Sequence, residues 1–175
     1  MKIGNIYEIY SNNKDSFCIG KITNSDNNYI VFEDIDLAGR TDAYCILRKD
    51  IITDAISESE YLDLIKKYMH YWKNQATHSP ISLNNFRFND SKSLLLQALQ
   101  YAYDNKKVVK LQIDNDIEPT GGYIKELNED SIVVSLVDWS NAIIYDEATI
   151  MISNIRFLEF EGIEETLIDY AHNLK

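Results

Sequence analysis

The chain reads GKITNSDNNYIVFEDID from Gly20 to Asp36, and the same pattern returns as GYIKELNEDSIVVSLVD from Gly122 to Asp138. The offset is 102 throughout, and five of the 17 aligned positions are identical, where typical residue frequencies give about one by chance. Each copy combines a strand, a turn rich in Asn and Asp, and a second strand rich in β-branched side chains. The pattern therefore predicts that one β-unit occurs twice in the chain.

Further apolar segments flank both copies. They are predicted to be strands at Ile6–Tyr10, Tyr44–Leu47, Ile51–Ile56, Val108–Ile113, Ile143–Ile152 and Ile155–Phe160. Each copy then has five short strands joined by tight polar turns. Because closing a sheet on itself removes its exposed edges, this arrangement predicts two small barrels.

Helices are predicted between and after the two β-units. Ser57 and Glu60 have the spacing of a capping box and predict a helix start, and Asp90 is predicted to cap a second helix. A third apolar stripe with helical spacing predicts a helix at the C-terminus. A unit of this size has a small core, so we expect the helices to cover the barrels.

These elements divide the chain into three parts. Residues 1–75 are predicted to form the first barrel and the helix that follows it. Residues 76–89 are polar, contain a proline and are predicted to be a linker. Residues 90–175 are predicted to form a helix, the second barrel and the C-terminal helix.

The first β-unit resembles proteins of the Sm-like family. Gly20, Ile22, Asp26 and Tyr29 match the first Sm-like motif, in which a Gly between apolar positions precedes an Asp-containing turn. The segment LRKDII, which contains Arg48, is similar to the second motif. The resemblance implies an α+β fold of two tandem small five-stranded Sm-like (SH3-like) β-barrels with flanking helices.

In Sm-like proteins Asp, Asn and Arg side chains form a pocket for a base of single-stranded RNA. The corresponding candidates here are Asp26, Arg48 and Lys49, whereas Ile30 and Ile132 stand where the family has Asn. An amide reads the edge of a base and an isoleucine cannot. The resemblance therefore implies, as an alternative function, a single-stranded RNA-binding protein with a degenerate base pocket.

The chain is acidic, with 17 Lys and Arg against 28 Asp and Glu and a net charge of −11. Most of the excess lies in residues 88–175, which hold 16 acidic and 7 basic side chains. Affinity for nucleic acid comes mainly from basic side chains that neutralise phosphates, so this balance disfavours nucleic acid as the partner. It favours another protein of basic character.

The leading hypothesis is a non-enzymatic protein-binding module of a small acidic bacterial-type protein, regulatory or similar to an immunity or inhibitor protein. Large aromatic residues are favoured at the centres of interfaces, and acidic ones steer a basic partner. The candidates for partner contacts are Tyr71, Trp72 and Trp139 among the aromatic residues, and Asp114, Asp116 and Glu118 among the acidic ones. A homo-oligomer is left open.

Motifs of catalysis, cofactor binding or metal ligation are not found in the sequence. Cys18 and Cys45 lie among apolar residues and are interpreted as buried free thiols, because a disulfide fits poorly with the expected location. No segment has the roughly 18 uncharged apolar residues of a membrane span, and the N-terminus lacks the apolar core of a signal peptide. We expect a cytoplasmic protein without catalytic activity, cofactor or metal.

Overall fold

The computed structural model describes residues 1–11, 13–75, 86–89, 92–114 and 118–174, and for residues 13–16 it describes the backbone alone. Two short 3-10 turns, Lys49–Ile51 and Ile152–Asn154, precede the strands that begin at Ile52 and Ile155. The described residues form ten strands and three helices in this order: β1 (Ile6–Ser11), β2 (Asn13–Ser25), β3 (Tyr29–Ile35), β4 (Thr41–Arg48), β5 (Ile52–Ile56), α1 (Glu60–Asn74), α2 (Leu94–Asp104), β6 (Val108–Ile113), β7 (Thr120–Leu127), β8 (Ser131–Asp138), β9 (Ile143–Met151), β10 (Ile155–Phe160) and α3 (Ile163–Asn173).

All ten strands belong to one open antiparallel sheet, in the order β5-β1-β2-β3-β4-β10-β6-β7-β8-β9. The sheet has two halves, β1–β5 and β6–β10. They join where β4 pairs with β10, from Leu47 opposite Phe157 to Tyr44 opposite Phe160. The prediction of two tandem closed barrels is therefore wrong, whereas the α+β class is confirmed. Because the inner edge of each half finds its hydrogen-bonding partner in the other half, neither half closes on itself.

A core shared by the two halves explains why they merge. Helix α2 buries Leu95, Ala98 and Leu99 in one apolar cluster, which contains Val31 of the first half and Val134 of the second. Burying a Leu side chain contributes about 1.5–3 kcal/mol. Two separate barrels would return this surface to water, so the continuous sheet is the more stable arrangement.

The internal repeat is retained inside this continuous sheet. Gly20 lies opposite Asp34 of the neighbouring strand, and Gly122 lies opposite Leu136, which is 102 residues after Asp34. In both halves a β-bulge begins two residues after the glycine. In both halves, too, the last strand pairs with the first, β5 with β1 and β10 with β6. The repeated sequence therefore produces a repeated strand order and register.

Two helix starts differ from the prediction. Helix α1 is capped by Ser59 instead of Ser57, since the Ser59 hydroxyl accepts a hydrogen bond of 3.0 Å from the Leu62 amide. The same hydroxyl donates to Glu8 of β1 and so ties the helix to the sheet. Helix α2 is capped by Ser93, whereas Asp90, the predicted cap, lies outside the described residues together with most of the predicted linker.

Candidate functional site

Arg48, a candidate for RNA contact, connects the two halves of the sheet. Its guanidinium donates to both carboxylate oxygens of Asp114, at 2.9 and 3.2 Å, and to the carbonyl oxygen of Ser153 at 3.1 Å. Its Nε donates to Asp50 at 2.7 Å. The guanidinium of Arg48 holds the pKa of Asp114 below its usual range. Four contacts thus engage this side chain at the junction of β4 with the second half.

The other two RNA candidates also make internal contacts. One carboxylate oxygen of Asp26 accepts hydrogen bonds from the amides of Asn28 and Tyr29 in the turn before β3. Its second oxygen accepts from the Leu94 amide at 2.9 Å and so holds the start of α2. The ammonium group of Lys49 donates to the Asp26 carbonyl oxygen. These contacts support the structural connection between the first half and α2.

We expect Arg48→Ala to lower the free energy of unfolding by about 2 kcal/mol, because a two-pronged ion pair between the halves is lost. The pKa of Asp114 is lowered in the folded state, so the pair stabilises the protein above the pKa of an unfolded Asp. The effect should fade as the pH falls through the folded pKa of Asp114. Urea unfolding at pH 7 and at pH 3 measures it.

The exposed pair of Lys66 with Asp63 is the control, and we expect Lys66→Ala to have a much smaller effect. Fluorescence anisotropy with short U-rich and A-rich RNA completes the experiment. An Arg48→Ala variant of unchanged stability that loses RNA binding would contradict the structural role.

Two of the predicted aromatic anchors lie side by side on α1. Tyr71 is exposed, and its ring meets the ring of Trp72 edge to face with centroids 5.1 Å apart. Trp72 is half-buried, because its Nε1 donates to the Ala38 carbonyl oxygen at 2.7 Å and its ring lies 5.8 Å from the Arg40 guanidinium. Trp72 thus fixes the β3–β4 loop on α1, and Tyr71 is the freer of the two.

Trp139, the third predicted anchor, lies in the second half and is half-buried. Its ring packs so closely on β7 that a Cβ atom added at Gly121 would approach it to 2.7 Å. The ammonium nitrogen of Lys110 lies 5.2 Å from the centre of the ring. Trp139 thus covers a cation instead of projecting into solvent, and the structure does not bring it together with Tyr71 and Trp72.

The predicted acidic residues have three different outcomes. Asp114 is bound to Arg48, as described above. Glu118 is exposed, and among the described residues it has no ion-pair partner. Asp116 lies outside the described residues. This group therefore offers one free carboxylate in the part of the chain that the structure covers.

A second acidic group lies at the junction of the halves, and the sequence did not predict that its members meet around one lysine. Lys110 of β6 is its central cation, with its ammonium nitrogen 2.5 Å from Glu164, 3.4 Å from Glu159 and 3.8 Å from Glu165. Glu159 comes from β10, opposite Lys110, and the two other carboxylates come from the first turn of α3. We call these four residues the Lys110 cluster.

Burial and mutual repulsion raise the pKa of two carboxyls in this region. The pKa of Glu165 is raised to about 8 by burial and by the neighbouring Glu159. That of Asp34, on β3, is raised to about 7 by burial and by Glu159, Asp42 and Asp36. Both carboxyls therefore keep their protons to a higher pH than a free carboxyl does, so burial at the junction disfavours negative charge.

Strand β9 is the second feature that sequence reasoning missed. It forms one open edge of the sheet, is nine residues long and contains no proline or lysine. Four of its large apolar side chains are exposed, namely Ile143, Ile144, Tyr145 and Met151. The preceding turn is held by the Asp138 carboxylate, which accepts from Ser140 and Asn141. The edge is therefore a fixed, partly apolar strand with free backbone groups.

Comparison with protein-family models, curated proteins and solved structures found no match. The site is therefore interpreted from its geometry alone. Among the described residues, no helix combines the length and the apolar character needed to cross a bilayer.

The two cysteine thiols are the remaining reactive side chains. Both cysteines are free, with Cys45 buried and Cys18 half-buried. Burial raises the pKa of Cys18 to about 12, and it raises that of Cys45 as well. A thiol with such a pKa is protonated at neutral pH and is a poor nucleophile.

Proposed function

We propose that the protein is a protein-binding module that captures a partner along the β9 edge. One observation carries this proposal: β9 is a long open edge strand that exposes four large apolar side chains. Natural edge strands are normally protected by charged side chains, above all lysine, by proline, by bulges or by being short. Strand β9 has two acidic residues and a bulge at Tyr145, but it is long and has no lysine or proline, so its edge remains suited to adding a partner strand.

The two sheet edges differ in a way that favours β9 over β5. Strand β5 has five residues, and Thr53 and Asp54 are its exposed side chains. Strand β9 is almost twice as long and presents apolar side chains at both of its ends. Backbone hydrogen bonds along nine residues supply affinity, and the flanking side chains supply specificity.

The charge of β9 supports a basic partner. Asp146 and Glu147 lie in the middle of the strand and are exposed, and Asp146 has no ion-pair partner among the described residues. Glu147 is paired with Lys125 at 2.6 Å. Together with the acidic excess of residues 88–175, this edge would attract an extended segment that alternates apolar and basic residues.

The decisive experiment is affinity capture from native cell extract with quantitative mass spectrometry. We expect Tyr145→Ser to reduce capture of the partner at least about tenfold, since loss of an interface aromatic typically costs 2 kcal/mol or more. Tyr170→Ser on α3 is the matched control, because Tyr145 and Tyr170 are 63% and 64% exposed. Equal capture by the two variants, or no specific capture by the wild type, would contradict the proposal.

Charge-reversal variants show whether the acidic residues of β9 attract the partner locally or whether only the net charge of the protein matters. Asp146→Lys on β9 and Asp54→Lys on β5 change the net charge by the same amount at opposite edges of the sheet. We expect the first to slow association with the captured partner and the second to leave it nearly unchanged. The rate for the wild type should fall as salt rises from about 50 to 500 mM, because salt screens exposed charges.

Nucleic-acid binding gains no support from the contacts of its three candidate residues. Asp26, Arg48 and Lys49 each hold another part of the chain. The chain carries a net charge of −11, which opposes binding to phosphate. A second function is therefore not proposed.

A further inference from the structure

Three carboxylates of the Lys110 cluster converge on one point. Glu159, Glu164 and Glu165 each offer one oxygen, and these three oxygens lie within 4.8 Å of one another. One residue is on β10 and two are on the first turn of α3, so sheet and helix fix the group jointly. Carboxylate oxygens are the ligands that hard divalent cations prefer.

Glu165 is the member whose surroundings demand a ligand. Its side chain is only 2% exposed, and neither of its carboxylate oxygens has a hydrogen-bond partner among the described residues. The carboxylate folds back over Gly162, where a Cβ atom would overlap it. Burial without a hydrogen-bond donor disfavours the charged form of this carboxyl, and a bound cation would stabilise that form.

The cluster already attracts one cation, the Lys110 ammonium group. This group contacts Glu164 closely, at 2.5 Å, but lies 3.4 Å from Glu159 and 3.8 Å from Glu165. It thus brings one positive charge to three carboxylates and satisfies one of them well. Lys110 also lies 5.2 Å from the centre of the Trp139 ring, which gives the ammonium group a second favourable neighbour.

We propose that Glu159, Glu164 and Glu165 bind a divalent cation of the size of Ca²⁺, for which the Lys110 ammonium group substitutes when the cation is absent. Ca²⁺ binds oxygens at about 2.3–2.6 Å, so any two of its ligands lie at most about 4.6–5.2 Å apart, and the three carboxylate oxygens, all within 4.8 Å of one another, fit inside that limit. Mg²⁺ demands near-ideal octahedral geometry and gives up its waters reluctantly, so we expect it to bind this group more weakly. The exposed Glu164 leaves the ion a route from solvent.

The test uses the full chain with CaCl₂, and MgCl₂ and NaCl of equal ionic strength as comparisons. With three carboxylates we expect a Ca²⁺ dissociation constant of about 10⁻⁴–10⁻³ M by isothermal titration calorimetry. At about 10 mM Ca²⁺ the melting temperature should rise by several degrees, and by less with Mg²⁺. The same response to NaCl would show screening of the acidic surface and would overturn the proposal.

Two variants locate the site. Glu164→Gln removes an exposed ligand and should at least halve the Ca²⁺ response, whereas Glu60→Gln, in the first turn of α1, should keep it. Lys110→Met removes the substitute cation and should respond to Ca²⁺ more strongly than the wild type. The proposal would be overturned if Ca²⁺ did not bind to or stabilise the wild type, or if only Lys110→Met responded to it. Equal Ca²⁺ responses of Glu164→Gln and Glu60→Gln would also overturn it.

Discussion

Gly122→Ala is expected to lower the free energy of unfolding by about 3–5 kcal/mol, a large fraction of the roughly 5–15 kcal/mol that stabilises an ordinary domain. Gly122 has a φ of +156°, and a Cβ atom added there would overlap the carbonyl oxygen of Ser135 on the neighbouring strand. That oxygen belongs to the backbone of β8, which is paired with β7 on one side and β9 on the other, so it cannot turn away as a side chain would. The overlap can be relieved only by shifting two paired strands. Urea unfolding followed by circular dichroism measures the loss.

Gly20→Ala is the matched control, because Gly20 has the equivalent position in the first half. A Cβ atom there would approach the side chains of Phe32 at 2.5 Å and Ile9 at 2.9 Å, which can move. Overpacking of this kind costs about 1–3 kcal/mol. We therefore expect Gly122→Ala to be clearly the more damaging of the two. Equal losses, or a larger loss for Gly20→Ala, would contradict this account of the second half.

Lys110→Met is expected to lower the free energy of unfolding by about 2–4 kcal/mol near pH 8, because removing the one cation of a partly buried charge group leaves its carboxylates, including the buried Glu165, uncompensated. The carboxylates of Glu159, Glu164 and Glu165 converge there with no other cation among the described residues within ion-pair distance of them. Lys125→Met removes an exposed lysine paired with Glu147 and should have little effect. Thermal and urea unfolding of the two variants provide the comparison.

The pH dependence of this effect follows from Glu165. Its pKa is raised to about 8 in the folded protein, so the folded state binds the proton more tightly than the unfolded chain. Stability therefore declines as the pH rises from about 4.5, the unfolded value, through 8. Without Lys110 the carboxylates repel one another more strongly, so the stability of Lys110→Met should fall more steeply with rising pH than that of the wild type. Near pH 5 the two proteins should differ little in stability. A loss independent of pH would contradict this reading of the cluster.

The sequence predicted the repeat correctly because local signals carry it. Gly20 and Gly122, the Asn- and Asp-rich turns, and the β-branched strands all act within about 17 residues. These signals determine the strands and the bulge after each glycine. These local signals do not determine which strand pairs with β4 on the side away from β3.

Closure of the barrels was predicted wrongly because it depends on contacts between the halves. Leu47 pairs with Phe157, a residue 110 positions away, and helix α2 shares its core with both halves. The alternation of apolar and polar residues along β4 is the same whether the neighbouring strand belongs to the first half or to the second. Sequence pattern therefore identified the strands and left their order open.

The candidate site was missed for a related reason. The sequence of β9, IIYDEATIM, reads as an ordinary strand, and only the strand order makes it an edge. Lys110 and Glu159 are 49 residues apart and meet through strand pairing. Glu164 and Glu165 lie in the first turn of α3, where acidic residues suit the start of any helix, so their position in the sequence does not mark a site. A run of apolar residues with two acids and no lysine was the one available signal for the edge.

Hydrogen exchange with mass spectrometry tests most directly whether β9 receives the partner. The amides of residues 143–151 should exchange more slowly once the captured partner is bound, because they gain hydrogen bonds to an added strand. The amides of residues 52–56, at the opposite edge, should exchange at an unchanged rate. Slower exchange at β5, or unchanged exchange at β9 in a complex that demonstrably forms, would contradict the account.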